Sequence, residues 1–568
     1  MCIQVYRARQ SRTWPWRDGR ETKKKRGFLI HELVVRAART DPEARAVVGE
    51  DRTLTYGELN ELSDRVAGAL QARGCGRGDR VGLLMPKSAL AVASMLGAVK
   101  AGCAYVPMDP DATRVRTAEI LRQCEPRVVL MGDCPHSLLS ELDLRRVLRG
   151  ASIGWLGEAP APERADFDQG DVDAAPLPSD AHATQRDVAC ILFTSGKGDL
   201  PRGVSLTRGS LQGLAEWGVR HFDLGPSDRL SGHASLTFNL STFDLYVALA
   251  AGAELHQVPT HTVRTPDETA AFIEDRELTM WLSVPSQLSG VARFDALAGK
   301  ELPSLRHVAW CGDVLPTNSL LYWKRLLPGV TFTNLYGHTE TTVVSSHYTV
   351  PESFDDPTAD IPIGAGRPGS ELLVLDSELR EVPEGKVGEI YVGGRGVSPG
   401  YWHDPDRTQA AFVHRRSAAN GEGRLFRTGD WGTRSEDGTV SFLGHTDSHI
   451  ESSGRRIAAG EVERALLQLQ EVTACAVVPL TFDDLARNGI GCAYVPANGR
   501  PLRTSRVQQA LAERLPPQMI PKRWMLVDEL PVDTRGKVDR ARTRSLMGCS
   551  QAPRISGFNS PRPRSIVD

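Results

Sequence analysis

Four short stretches set charged or hydroxyl side chains beside glycine turns, and each could handle an anion. The first reads Phe193-Thr194-Ser195-Gly196-Lys197-Gly198-Asp199-Leu200-Pro201-Arg202-Gly203-Val204, directly after an apolar run at 188–192. Its glycines let backbone N–H groups approach a phosphate, and its hydroxyls and cations complete such a cradle. It is not the G-x-x-x-x-G-K-[ST] pattern, so the ordinary P-loop fold is not implied. The others are Asn334-Leu335-Tyr336-Gly337-His338-Thr339-Glu340, Phe426-Arg427-Thr428-Gly429-Asp430 and Gly536-Lys537-Val538-Asp539-Arg540. A carboxylate in such a turn suits Mg2+ or sugar hydroxyls, and a lysine suits a developing phosphate or carboxylate charge. Taken singly, each is more often a surface turn with a solvated charge. Their order and separation carry the information.

The hydrophobic pattern shows the elements that must hold these stretches. Leu59, Leu62, Val66 and Leu70 form a 3.6-residue stripe, predicting a helix opened by Leu54-Thr55-Tyr56. Residues 74–78 break it, and Val81-Gly82-Leu83-Leu84-Met85 reads as a buried strand closed by Pro86. A second helix reaches Lys100 and leads to the strand Ala104-Tyr105-Val106; residues 127–131 repeat the strand signal. Short apolar strands alternating with helices predict a parallel α/β sheet. Residues 157–187, rich in Ala, Pro and Asp, read as a surface connection. Past 370 come short strands with many glycines, at 371–375, 388–393 and 439–443, predicting a small β-rich subdomain. A fresh unit begins after Asp447, with a helix starting near Gly460-Glu461 and Val462, Leu466 and Leu469 on one face. At about 90 residues it is compact enough to be a separate small domain.

The 568 residues suffice for three or four units of roughly 150 residues with large buried cores. Residues 1–26 hold nine Lys/Arg and two Asp/Glu, and residues 541–568 hold five and one. Between them stand 54 basic and 67 acidic residues, an acidic body that argues against a general nucleic-acid binder. The basic ends read as solvated, disordered tails. The longest apolar stretch, 89–99, falls short of the about 20 residues that span a bilayer, and no secretory pattern follows the N-terminal charges. Ten cysteines form no C-x-x-C pair and no zinc-like cluster, as expected of core thiols in a reducing cytoplasm.

In this order the motifs resemble the adenylate-forming (ANL) superfamily, and within it the amino-acid adenylation domains of nonribosomal peptide synthesis. The resemblance covers residues 27–540. It also rests on Leu54-Thr55-Tyr56-Gly57-Glu58-Leu59, Lys100-Ala101-Gly102-Cys103-Ala104-Tyr105-Val106-Pro107, Ile361-Pro362-Ile363-Gly364, Gly388-Glu389-Ile390 through Gly400-Tyr401-Trp402, and Leu515-Pro516-Pro517-Gln518-Met519-Ile520-Pro521. The implied fold is α/β: a large N-terminal domain of two parallel-sheet α/β subdomains plus a small β-rich subdomain, then a small mobile α+β C-terminal domain. The expected divisions are a basic tail over 1–26, a large adenylation domain over 27–447, a lid domain over 448–540 and a basic tail over 541–568.

The resemblance implies a two-step reaction. A carboxylate attacks the α-phosphate of ATP, releasing pyrophosphate, and a carrier protein's phosphopantetheine thiol then displaces AMP. Lys537 matches the catalytic lysine and Glu340 the Mg2+ ligand. Thr194, Ser195, Gly196 and Thr339 match phosphate contacts, Tyr336 the residue flanking adenine, Asp430 the ribose acceptor and Asp447 the hinge. The chain also departs from the pattern. Lys197-Gly198-Asp199 replaces hydroxyls and a glycine in the phosphate loop, His338 stands where the family has proline, and His445 replaces a commonly found arginine. Glu451 and Ser453 replace basic residues after the hinge. A non-catalytic nucleotide-binding scaffold is the competing reading.

By the same alignment the acid pocket falls on Asn239, Leu240, Phe243, Leu282, Ala309, Cys311, Leu335, Val343 and Val344. Apart from Asn239 the set is apolar, as for a small or medium aliphatic side chain. Amino-acid members usually carry aspartate at position 239, where its charge holds the α-ammonium. Asparagine leaves an aryl or hydroxy acid open. No carrier or condensation motif flanks the resemblance, so the expected partner is a separate phosphopantetheinylated carrier protein, with no nucleic acid and no membrane. The expected location is the cytoplasm.

Overall fold

The computed structural model describes residues 29–133, 150–159, 165–195, 201–259, 265–417, 421–445, 449–452, 455–469, 471–482, 487–497, 501–512, 515, 519–533 and 537–548. The helical stripe read from the sequence is helix Tyr56–Ala72, opened by a reciprocal capping box between Thr55 and Glu58. The longest apolar stretch becomes helix Ala89–Lys100, in which every residue is buried; helix Leu240–Ala251 is buried all round as well. A helix enclosed on every side needs no polar face, so neither presents an amphipathic stripe. Gly102, at φ 91°, ends the first of them in a conformation that only glycine adopts at no cost.

Two sheets pack against these helices in one core. Among the described residues, one sheet has seven strands, in the order Phe167–Asp168, Ser152–Trp155, Val128–Met131, Arg80–Leu84, Ala104–Met108, Val188–Ser195, Pro201–Thr207. The other has nine, with Arg229–Gly232, Met280–Ser283, His307–Cys311 and Thr331–Tyr336 as parallel neighbours in its interior. The interiors are parallel as expected, but antiparallel pairs flank them: Pro201–Thr207 runs antiparallel to Val188–Ser195, and Ser346–Thr349 antiparallel to Thr331–Tyr336. Residues 196–200 alone separate the first pair, and a parallel crossover takes a dozen residues or more.

Buried polar groups tie the layers together. Tyr56 Oη donates to the Ala253 carbonyl at 2.8 Å. Lys100 Nζ donates to Asp64 Oδ1 at 2.8 Å and Asn60 Oδ1 at 2.9 Å. Arg208, fully buried, donates to the Val99 carbonyl at 2.8 Å. The Lys100 and Tyr56 motifs are thus architectural, since each satisfies polar groups that would cost free energy if buried alone.

The β-rich part is a five-stranded antiparallel sheet among the described residues, centred on the long strand Gly421–Arg434. The last unit combines the hairpin His449–Ser452/Arg455–Ala458, helix Ala459–Leu467, and a sheet of Val472–Phe482, Arg487–Pro496 and Arg523–Leu526.

Two expectations change. Residues 157–187 are more than a surface connection, because Phe167 and Val172 are buried on strand Phe167–Asp168 and helix Gln169–Asp173. The stretch after 540 begins as helix Arg540–Gly548, where a solvated tail was expected. Asp539 Oδ1 accepts the Arg542 N–H at its start, and Thr543 and Met547, one turn apart, are buried. Met547 packs with Val478, Leu480 and Ala493. Residues 1–26 and 549–568 lie outside the described residues.

Candidate active site

Strands His307–Cys311 and Thr331–Tyr336 are parallel neighbours, and the turns at their C-terminal ends open into a cavity of about 180 Å³. Ligands in open parallel sheets bind at this end. The wall includes Gly312, Tyr336, His338, Asp430, Glu463 and Lys537. Asp430 is 1% exposed. Its Oδ2 accepts the Tyr336 hydroxyl at 2.7 Å and lies 3.3 Å from His338 Nε2. Burial, then the Asp430 charge, holds the Tyr336 phenol well above its usual pKa, so it remains a donor. Asp430 is fixed by its own N–H, which donates to Thr428 Oγ1 at 3.0 Å, while Arg427 grips Glu389 at 2.8 Å. Position 445 pairs with Asp430 across adjacent strands.

Lys537 enters this cavity from the last unit. A Cβ added to Gly312 would lie 3.3 Å from Lys537 Cε and 4.0 Å from Nζ, so the lysine stem crosses the glycine. Lys537 N donates to Asp533 Oδ1 at 3.1 Å, and its carbonyl accepts Asp533 N–H at 2.7 Å. Arg540 Nη2 donates to Glu463 Oε2 at 2.7 Å, and Val477 N–H donates to Glu463 Oε1 at 2.7 Å. These contacts hold the lysine-bearing segment to helix Ala459–Leu467 and its sheet. Arg464 reaches Asp360 at 3.1 Å, and Gln468 donates to the Thr358 carbonyl at 3.0 Å, docking that helix on the larger part.

Thr339, Glu340 and Thr341 form a 3-10 turn directly after Tyr336 and the Gly337-His338 step. Glu340 Oε1 accepts the Tyr401 hydroxyl at 2.9 Å. Tyr401 belongs to the Gly400-Tyr401-Trp402 motif, whose backbone meets the hairpin strand Pro201–Thr207: Trp402 N–H donates to the Gly203 carbonyl at 2.7 Å. Thr194 lies opposite Arg202 in that hairpin, and Ser195 opposite Pro201. The Glu340 turn and the end of the 188–207 hairpin are therefore stitched together through residues 401 and 402. Gly196, Lys197, Gly198, Asp199, Asp447 and Ser453 lie outside the described residues, as do the side chains of Ser195, His445 and Glu451.

Eight of the nine residues expected to line the acid pocket lie in the large central core, and of them only Leu335 also lines the cavity. Leu240, Phe243, Leu282, Ala309, Cys311, Leu335, Val343 and Val344 share one buried cluster, none more than 5% exposed. Leu282 is the cross-strand neighbour of Ala309, and Cys311 that of Leu335. Asn239 precedes helix Leu240–Ala251, and its side chain does not cap it. Burial pushes the Cys311 thiol up to about 11, with Lys537 pulling the other way, so it is a neutral core thiol.

Residues Thr342 (φ 56°) and Val343 (φ 68°) are both left-handed and β-branched, a strain of order 1–3 kcal/mol each. Sequence reasoning gave no role to the groups that hold this loop. Thr342 Oγ1 donates to the Gly396 carbonyl at 2.7 Å, and the buried Arg367 donates through Nε to the Val344 carbonyl at 2.5 Å. Behind Phe243, Trp217 stacks on His221 at 5.0 Å, and His221 meets His347 edge-on at 4.3 Å. A buried arginine bound to carbonyls leaves no spacing signal, whereas Tyr401 was visible as part of a motif.

The AMP-binding enzyme family model matches residues 34–402, and that of the AMP-binding enzyme C-terminal domain matches 461–537. The chain is 34% identical over 520 residues to an L-proline--[L-prolyl-carrier protein] ligase of Streptomyces coelicolor, covering 90% of this chain and 94% of that one. It is 32% identical to the phenyloxazoline synthase MbtB of a Mycobacterium species over 93% of its own length, but spans only 43% of that protein. The crystal structure of IdnL7 superposes with a TM-score of 0.77 at 28% identity, covering 91% of this chain and 98% of that one. The chain belongs to the AMP-binding enzyme family and is an ATP-dependent, acyl-adenylate-forming ligase of the adenylation-domain type.

Proposed function

We propose that the protein activates a small amino acid with ATP and passes it to the phosphopantetheine thiol of a separate carrier protein in secondary metabolism. The observation that carries this is the position of Lys537, across Gly312 and beside Cys311, at the border between the cavity and the apolar cluster. A carboxylate lying there faces the ammonium on one side, with its side chain among Leu282, Ala309 and Leu335. One carboxylate oxygen attacks the α-phosphorus, the bond to pyrophosphate breaks, and Lys537 stabilises the charge as it redistributes.

ATP fits the opposite wall, where Asp430 offers a buried carboxylate to the ribose and Tyr336 a ring to the base. Thr194, Ser195, Gly196 and Thr339 are assigned to its phosphates. Glu340 would be the protein ligand for Mg2+, an ion usually held by one or two carboxylates together with substrate phosphates. Among the described residues no group of three His, Cys, Asp or Glu could hold a metal independently. When bound, the ion neutralises phosphate charge.

We assign residues 27–447 to the large domain and 448–540 to a lid turning about Asp447, so that Lys537 leaves when the thiol arrives. No described helix is long and apolar enough to cross a membrane. The described cysteines are free and buried, which supports a cytoplasmic location.

The test is amino-acid-dependent ATP–pyrophosphate exchange over a panel including L-proline, beside Lys537→Ala. Exchange with one small amino acid, abolished in the variant, is the expected result. No exchange with any acid would overturn the enzyme reading. Exchange only with acids lacking an amine would favour the second reading, an aryl or hydroxy acid, which the uncharged Asn239 supports.

A further inference from the structure

His338 occupies a position where the resembled family carries proline, whose side chain has no hydrogen bond to offer. Here the imidazole borders the cavity, 24% exposed, with Nε2 3.3 Å from Asp430 Oδ2. The ring lies edge-on to Tyr336, with centroids 5.4 Å apart, and 5.6 Å from Phe426. Its backbone is pinned by His338 N–H donating to Thr341 Oγ1 at 3.1 Å. The Nε2 edge therefore lies beside the same carboxylate oxygen that Tyr336 already engages at 2.7 Å, within ion-pair range.

The chemistry of an alcohol makes this arrangement informative. A carboxylate only accepts hydrogen bonds, whereas a hydroxyl donates one and accepts others. A sugar hydroxyl that donates to Asp430 from the cavity turns its lone pairs toward neighbouring donors, and the Nε2 edge of His338 is one. The 3.3 Å separation is long for a charge-assisted contact, which closes to about 2.7–2.9 Å when optimal. A hydroxyl bridging carboxylate and imidazole would satisfy both groups better than they satisfy each other.

We propose that His338 is a nucleotide-contacting residue: its Nε2–H donates to the ribose hydroxyl that Asp430 receives, so the pair reads one sugar hydroxyl as donor and acceptor together. This rests on the assignment of the cavity to the nucleotide. It gives the chain a sugar contact at a position where the resembled family's proline supplies none.

Calorimetric titration of the full chain with AMP, 2′-deoxy-AMP and 3′-deoxy-AMP, without any acid, tests it. Wild type should bind AMP more tightly than one of the deoxynucleotides. In His338→Leu, AMP affinity should fall about tenfold and its margin over that deoxynucleotide should narrow by the same factor, the worth of one hydrogen bond. His338→Gln keeps an N–H donor and should retain most of the margin. The ratio of two affinities in one preparation does not depend on the folded fraction, and His338→Pro carries the same expectation as Leu. A margin unchanged in His338→Leu and His338→Pro would overturn the proposal. So would a wider margin, which would mean that the imidazole competes with the sugar for Asp430. A wild-type chain that binds no AMP would overturn the nucleotide assignment itself.

Discussion

Lys537 lies across Gly312 so closely that a single methyl group there would come within 3.3 Å of its Cε. Gly312 also has φ 110°, a backbone region that a side chain rarely enters. The two residues come from different units of the fold, so the absence of a side chain at 312 is what admits the lysine to the end of the strand carrying Cys311.

Gly312→Ala should therefore displace the lysine while leaving most of the nucleotide wall in place. The methyl asks the lysine stem to give by a few tenths of an ångström and strains the backbone at φ 110°, and misplacing a catalytic group by up to about 1 Å can cost as much as 10²-fold. The expected result is a 10–100-fold fall in kcat for ATP–pyrophosphate exchange, with AMP affinity within about twofold of wild type. Single-turnover exchange together with calorimetry would check it. An unchanged kcat would show that Lys537 does not act from this position.

Arg367 should govern the acid side independently. It is buried, with its pKa lowered to about 10 by burial, and its guanidinium lies 5.9 Å from the Trp217 ring centroid. Its bond to the Val344 carbonyl restrains the strained Thr342-Val343 step. Arg367→Met leaves that carbonyl buried without its donor, a cost of about 1–3 kcal/mol. The KM for the acid should rise roughly tenfold and the range of accepted acids broaden, with the KM for ATP little changed. Equal rises in both KM values would mean general loosening rather than control of the acid wall. Exchange kinetics across the acid panel reads the difference.

What the sequence revealed depended on how each residue signals itself. Lys537, Asp430, Tyr336 and Glu340 stand beside glycine turns in a fixed order, and the structure brings Lys537, Tyr336 and Asp430 to one cavity. The acid pocket was assigned from the resemblance alone, since its members are scattered over helix Leu240–Ala251, strands Met280–Ser283, His307–Cys311 and Thr331–Tyr336, and the loop at 343–344, with no shared spacing. Arg208 and Arg367 were illegible, since a buried cation bound to backbone carbonyls has no partner at a characteristic spacing. Tyr401 and Glu340, 61 positions apart, meet only through the fold. Helix Arg540–Gly548 was hidden by averaging charge over the whole basic end, although Asp539 as a cap and Thr543 with Met547 one turn apart were available signals.

Stability should depend on pH through histidines that the fold keeps neutral. Burial lowers His31, His221 and His307 to about 4 and His233 to about 3, from 6.5. Positive neighbours add to the effect: Arg208 at His31, Lys87 at His233 and Arg306 at His307. Above pH 6.5 neither state binds these protons, so they add no slope. Between pH 6.5 and about 4 the unfolded chain takes up protons that the native state refuses, and stability falls as pH falls. Below about 4, and about 3 for His233, their contribution to the slope ends and carboxylate protonation takes over. Chemical denaturation from pH 8 to 4.5 should show a plateau followed by a decline setting in near 6.5. His31→Asn removes one such proton and should reduce the slope by about one proton at most. Stability that stays flat from pH 6.5 to 5 would contradict neutral burial of these rings.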